Sequence, residues 1–136
     1  MLMSRLLKFS GVLLAALLVL TACRSAKPTL KLVDYDRIIR VACVGDSITY
    51  GAGVENREVN CYPAVLERLL GQKFEVRNFG VSGATMLVKG DLPYQKLAQY
   101  EEAVRFQPDV VIIKLGTNDS KPQNWAHAKE FTGDLN

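Results

Sequence analysis

The sequence predicts an α/β fold built on a parallel sheet, and three observations carry the prediction. Apolar runs rich in β-branched residues occur at 38–44 and 109–115, with an alternating apolar and polar run at 74–79 between them. Each run stops at a glycine that opens a polar loop, at Gly45, Gly80 and Gly116. Helix-patterned segments separate the runs, so strand and helix alternate, which implies right-handed crossovers and places all strand carboxyl ends on one rim. The loops that carry Ser47, Gly80 and Asn118 should therefore converge.

The first element is not part of that domain. Arg5 and Lys8 precede an apolar run over 9–20, and Leu20-Thr21-Ala22-Cys23 follows it. That order reads as a secretory signal. Residues 9–23 are uncharged but fall short of the roughly 20 apolar residues a membrane-crossing helix needs. The last four residues resemble the lipobox of bacterial lipoproteins. The resemblance implies that Cys23 is acylated, for instance with palmitate, and becomes the first residue of a mature chain anchored to the membrane in the bacterial cell envelope. Residues 24–36 mix charge with isolated apolar positions around Lys27-Pro28, which suits a tether. The expected organisation is a signal peptide over 1–22, a tether over 23–36 and one domain over 37–136.

Composition bounds what that domain can be. A chain of 136 residues has room for one domain, and 49% hydrophobic with 23% charged residues is the composition of a globular chain. Loss of Arg5 and Lys8 with the signal brings the formal +3 close to neutrality, so no basic field remains to recruit nucleic acid. With Cys23 lipidated, Cys43 and Cys61 are left. Cys43 lies in the first apolar run, where a free thiol packs as a small hydrophobe, and the sequence leaves open whether Cys61 approaches it.

Within the domain, 38–44 reads as a strand buried on both faces, ending at Gly45. After it, Gly45 and Gly51 bracket a loop that presents Ser47, although Asp46 and Ser47 would also serve as ordinary helix caps. Tyr62, Val65, Leu66, Leu69 and Leu70 then recur at helical spacing, with Pro63 near the start and Gly71 just past the end. Residues 74–79 alternate as a second strand. A looser helical pattern runs from Pro93 to Phe106, closed by Pro108. The run over 109–115 is the clearest candidate for a buried parallel strand. If the first strand lies between the second and third, however, that run becomes an exposed edge.

The three loops have the chemistry of acyl transfer, which needs a nucleophile, a base and donors aimed at the developing oxyanion. Gly45-Asp46-Ser47-Ile48 resembles the first block of the GDSL, or SGNH, hydrolases. Asn78-Phe79-Gly80 with Ser82-Gly83 resembles the second block, and Gly116-Thr117-Asn118-Asp119 the third. The α/β-hydrolase nucleophile elbow does not fit, because Thr49 stands where its second glycine would be. The resemblance covers residue 40 to about 131. It implies the amino-terminal part of a three-layer α/β/α, flavodoxin-like SGNH hydrolase fold, with Ser47 as nucleophile and Gly80 and Asn118 as oxyanion donors. It implies no cofactor. Asp46 and Asp119 shape loops in that family and are not read as an acid and base pair.

The family's fourth signature, Asp-x-x-His, is not found as far as Asn136. The single histidine, His127, has Asn124 three residues before it and reads as a surface helix position rather than the base. The resemblance thus implies an ester hydrolase acting on small-molecule or carbohydrate esters, with acetyl removal from carbohydrates favoured by the segments 81–85, 90–94 and 115–125, and a chain of low activity as written. A non-catalytic carbohydrate-binding module is the alternative. A flavodoxin-like phosphate or flavin binder is disfavoured, because neither Gly51-Ala52-Gly53 nor Gly80-x-x-Gly83 completes a fingerprint.

Overall fold

The structure, a computed structural model, describes residues 31–135. The signal, the lipobox with Cys23 and most of the tether lie outside the described residues. The chain divides into two units, residues 1–34 and 35–136. In the first, the described residues form one 3-10 turn, Leu32–Asp34, closed by the Asp34 N–H on the Lys31 carbonyl at 3.0 Å.

The second unit holds three strands and six helices among its described residues. They are β1 (Ile39–Gly45), α1 (Ser47–Tyr50), α2 (Arg57–Asn60), α3 (Tyr62–Leu70), β2 (Phe74–Gly80), α4 (Ala98–Arg105), β3 (Val110–Lys114), α5 (Pro122–Trp125) and α6 (Phe131–Leu135). The sheet order is β2-β1-β3 and both pairings are parallel. Gly45 pairs with Gly80 on one side and with Lys114 on the other, so the three strands end level with one another. The rim expected from the alternation of strands and helices is present.

Side chains alternate across β1, which gives the sheet two apolar faces. Ala42 and Val44 pack with Phe79, Tyr94, Ala103 and Phe106 on the α4 side. Val41, Cys43 and Val76 face Tyr62 and Leu66 of α3 on the other. Helices therefore cover both faces, the arrangement a parallel sheet requires. Phe79 and Phe106 meet at 5.7 Å between ring centroids, and burying each contributes about 2 kcal/mol by area transfer. α3 carries both sequence signals of its ends, Pro63 in its first turn and Gly71 at its carboxyl end with φ +76°.

Three elements differ from the sequence expectation. The run at 109–115 reads as a buried strand, yet Val111 and Ile113 are 50% and 51% exposed. The order β2-β1-β3 leaves β3 an edge strand among the described residues, the alternative that a central first strand implies; Val110 and Ile112 pack against the Val41 cluster, whereas Val111 and Ile113 lie on the less covered α4 face. The helical pattern over 93–106 is broken in two, a 3-10 turn at Tyr94–Lys96 and then α4, because Leu97 is extended at ψ 152°. Tyr94 fixes that break: it is buried, and its hydroxyl donates to the Phe79 carbonyl at 2.7 Å. Finally, Ser47 does not sit at the tip of an irregular loop. It is the first residue of α1.

Candidate active site

The nucleophile loop is built by close approach. A Cβ on Gly45 would lie 2.0 Å from Thr49 Oγ1 and 2.5 Å from the Lys114 carbonyl oxygen, so only glycine allows α1 to turn back directly over the strand end. Asp46 is the N-cap: its N–H donates to the Lys114 carbonyl at 3.2 Å, and its Oδ1 accepts from the Ile48 N–H at 2.9 Å. The capping residue is thus Asp46, not Ser47. Asp46 is fully buried, and its Oδ2 has no hydrogen-bond partner but faces Lys114 Nζ at 3.6 Å. Lys114 in turn donates to Thr117 Oγ1 at 2.5 Å, which ties the nucleophile loop to the third loop.

Ser47 is half-buried, and neither its Oγ nor its backbone N–H has a partner among the described residues. An unpaired N–H is what the first turn of a helix leaves. The serine hydroxyl and this amide are therefore free for a ligand at the sheet rim.

The second loop meets the first through the Val81 N–H, which donates to the Gly45 carbonyl at 2.9 Å. Gly80 packs so tightly on α1 that a Cβ there would lie 2.2 Å from the Tyr50 nitrogen. Its N–H, expected at the oxyanion, donates instead to Asn78 Oδ1 at 2.9 Å. Three residues on, the Ala84 N–H closes a turn on the Val81 carbonyl at 3.1 Å, and Gly83 takes φ +89° in it. A positive φ at the third position of a turn is the reason for glycine there. The amides of Ser82 and Gly83 have no partner among the described residues. In the sequence Gly83 is legible only as part of the second block; the signal that separates it from Gly80 is the Asn-x-Gly spacing, which lets Asn78 reach the Gly80 N–H.

The third loop is stitched to the second. Asn118 Nδ2 donates to the Ala84 carbonyl at 3.0 Å, and the Asn118 carbonyl accepts from Asn124 Nδ2 at 2.8 Å. Asp119 is fully buried and receives the N–H groups of Met86 at 3.0 Å and Leu87 at 2.7 Å. Asn124, 2% exposed, also exchanges two hydrogen bonds with Asp91, both at 2.9 Å. Asp91 is held below the usual carboxylate range, first by the Asn124 amide and then by Lys121. Sequence reading had no signal for Asn124, a buried amide that connects the loops at 84–91 and 116–119.

Among the described residues, no other titratable side chain makes a hydrogen bond to Ser47. His127 follows α5, and its Nδ1 lies 4.0 Å from Glu130 Oε1; no hydrogen bond joins it to Ser47. Asp46 and Asp119 hold different backbone amides, as loop-shaping residues do. Cys43 and Cys61 are both buried and free. Burial pushes the Cys43 thiol up, and burial pushes the Tyr62 hydroxyl up to about 12. A cavity of about 470 Å³ opens on the α4 face between Tyr94, Val111 and Ile113, but neither Ser47 nor Asn118 lines it.

Comparisons with known proteins identify the family. The model of the GDSL-like Lipase/Acylhydrolase family matches residues 43–132. The chain belongs to that family, and its parallel three-strand sheet between helices is the corresponding α/β SGNH hydrolase fold in part. It is also similar to an acetylxylan esterase of Xylanibacter ruminicola, 56% identical over 97 residues, which is 71% of this chain. The aligned stretch is 20% of that relative, so the chain spans about a fifth of its length.

Proposed function

We propose that the chain contributes the nucleophile and oxyanion side of a serine ester hydrolase that removes acetyl groups from carbohydrates. The observation that carries this reading is Ser47 itself. It stands at the carboxyl end of the central strand, with hydroxyl and amide both unpartnered, beside two loops cross-tied by Asn118 and Ala84. The 56% identical acetylxylan esterase supports the acetyl and carbohydrate parts of the reading.

In the reaction, Ser47 Oγ adds to the ester carbonyl carbon while a base takes its proton. The carbonyl oxygen becomes an oxyanion, the alcohol leaves with a proton, and water hydrolyses the acyl-serine. Because the Gly80 N–H is committed to Asn78, we assign the donors to the amides of Ser47 and Gly83 and to the second N–H of Asn118 Nδ2. Gly80 serves by letting β2 approach α1. The base is the group that the described residues do not bring to Ser47. In triad hydrolases loss of the histidine costs on the order of 10⁶ in turnover, so the 136-residue chain should turn over slowly.

The test is acetate release from acetylated xylo-oligosaccharides by this chain and by a fusion to a family segment that carries Asp-x-x-His. Faster release by the fusion, abolished by Ser47→Ala, supports the reading. Saccharide binding with no release from either protein favours the non-catalytic module, the reading favoured by the absence of a hydrogen bond between His127 and Ser47. We also propose that Cys23 anchors the chain through lipid to the bacterial envelope, on the strength of Leu20-Thr21-Ala22-Cys23. Cys23→Ser should then move the protein from membrane to soluble fractions.

A further inference from the structure

We propose that Asn78 is a positioning residue that sets the nucleophile helix against the oxyanion loop. α1 has four residues, too few to be stable by its own hydrogen bonds. Asp46 holds its amino end. Its carboxyl end leaves carbonyls without intrahelical partners. Asn78 Nδ2 reaches two of them, the Thr49 oxygen at 2.8 Å and the Tyr50 oxygen at 3.4 Å, and it also lies 3.5 Å from Cys61 Sγ. The other end of the same amide, Oδ1, accepts from the Gly80 N–H at 2.9 Å.

One planar side chain thus spans the gap between α1, which starts with Ser47, and the strand end that leads into Gly83. Its own backbone is fixed by the pairing of Asn78 with Cys43 in the middle of the sheet. A side chain with a donor at one end and an acceptor at the other is needed, and asparagine is the shortest that has both. Arg57 Nη1 also donates to the Tyr50 carbonyl, at 3.2 Å, but it comes from α2, and no hydrogen bond joins it to β2 among the described residues. The Val81 N–H on the Gly45 carbonyl joins the two loops at their strand ends; among the described residues Asn78 is the β2 side chain that holds the carboxyl end of α1, so its loss should displace the Ser47 hydroxyl from the donors without changing what binds the substrate.

The inference rests on the esterase reading for its catalytic consequence but not for the clamp, and the experiment separates them. Asn78→Asp keeps an acceptor for Gly80 and removes the donor to Thr49 and Tyr50; Asn78→Ala removes both. Amide exchange of Tyr50, Gly51 and Ala52 is followed by NMR in each, alongside kcat and KM for p-nitrophenyl acetate in the same variants fused to a family segment that carries Asp-x-x-His. We expect those three amides to exchange about tenfold faster in Asn78→Asp, the fold-change of one lost hydrogen bond, with β1 and α3 protected as in the parent. We expect kcat to fall by up to about 10²-fold, the cost of a misplacement near 1 Å, with KM unchanged. Parent-like exchange in both variants overturns the clamp. Faster exchange with parent-like kcat overturns the positioning role. If the Asp-x-x-His fusion of the parent shows no Ser47-dependent turnover, the esterase reading fails and the exchange result alone decides the clamp.

Discussion

Asn118 Nδ2 lies 3.0 Å from the Ala84 carbonyl oxygen, so the side chain expected at the oxyanion is first of all the fastener between the second and third loops. One of its two N–H groups is used in this way and the other is left for a ligand. Asn118→Ala should lower esterase turnover by roughly 10² to 10³, the measure of one oxyanion donor, and stability by about 1 kcal/mol for the lost hydrogen bond. Steady-state rates with p-nitrophenyl acetate and urea melts of the same preparation check both numbers. A stability loss without a rate loss would assign Asn118 to structure only.

Asp119 should matter more to folding than any other residue of the third loop. Its buried carboxylate satisfies the Met86 and Leu87 amides, and removal leaves two buried N–H groups unpaired. Asp119→Ala is expected to destabilise by about 3 kcal/mol, and Asp119→Asn by less, since the amide retains one acceptor oxygen. Urea midpoints at constant m-value measure the difference.

The ion pair of Arg37 and Asp109 sets an acid dependence. Arg37 Nη1 and Nη2 grip Asp109 at 2.8 and 2.6 Å, and with the Arg40 N–H at 2.9 Å they lower the Asp109 carboxyl from 3.8 to about 2. A carboxyl depressed in the folded state stabilises above its unfolded pKa and loses that contribution as pH falls through the folded value. The stability gap between the parent and Asp109→Asn should therefore be full above pH 4 and close as the pH approaches about 2. Thermal melts across that window check it; a gap that widens on acidification would contradict the sign.

The β3 edge predicts self-association. Val111 and Ile113 are half-exposed on a strand whose outer backbone groups are unpaired among the described residues. Exposed apolar edges pair with other chains, and a lysine on the edge is a common natural protection. Ile113→Lys should lower the weight-average mass of the 136-residue protein in sedimentation, with little change in its far-UV spectrum.

The strand ends and the order of the loops were legible in the sequence because glycine stops at Gly45, Gly80 and Gly116 coincide with the ends of apolar runs. α3 was legible for the same kind of reason, with Pro63 and Gly71 at its limits. Burial of β3 was not, since composition reports what a strand could bury and not whether a neighbour is there. α1 was missed because four residues are too few for a hydrophobic period, and only the Asp46 cap marks its start. The commitment of the Gly80 N–H to Asn78, and the buried role of Asn124, depend on side-chain hydrogen bonds between separate elements. No local pattern encodes those.

The account stands or falls on Ser47 as the nucleophile. The most direct measurement is mass spectrometry of the protein quenched in acid after incubation with p-nitrophenyl acetate. With no base beside Ser47 among the described residues both steps are slow, but p-nitrophenolate leaves without a proton whereas deacylation must activate water, so over a long incubation the acyl-enzyme should accumulate. The account predicts one added acetyl group, on the peptide that contains Ser47, and none on that peptide in Ser47→Ala. An acetyl group carried on His127 or a lysine instead, or equal p-nitrophenolate release from Ser47→Ala, would contradict it.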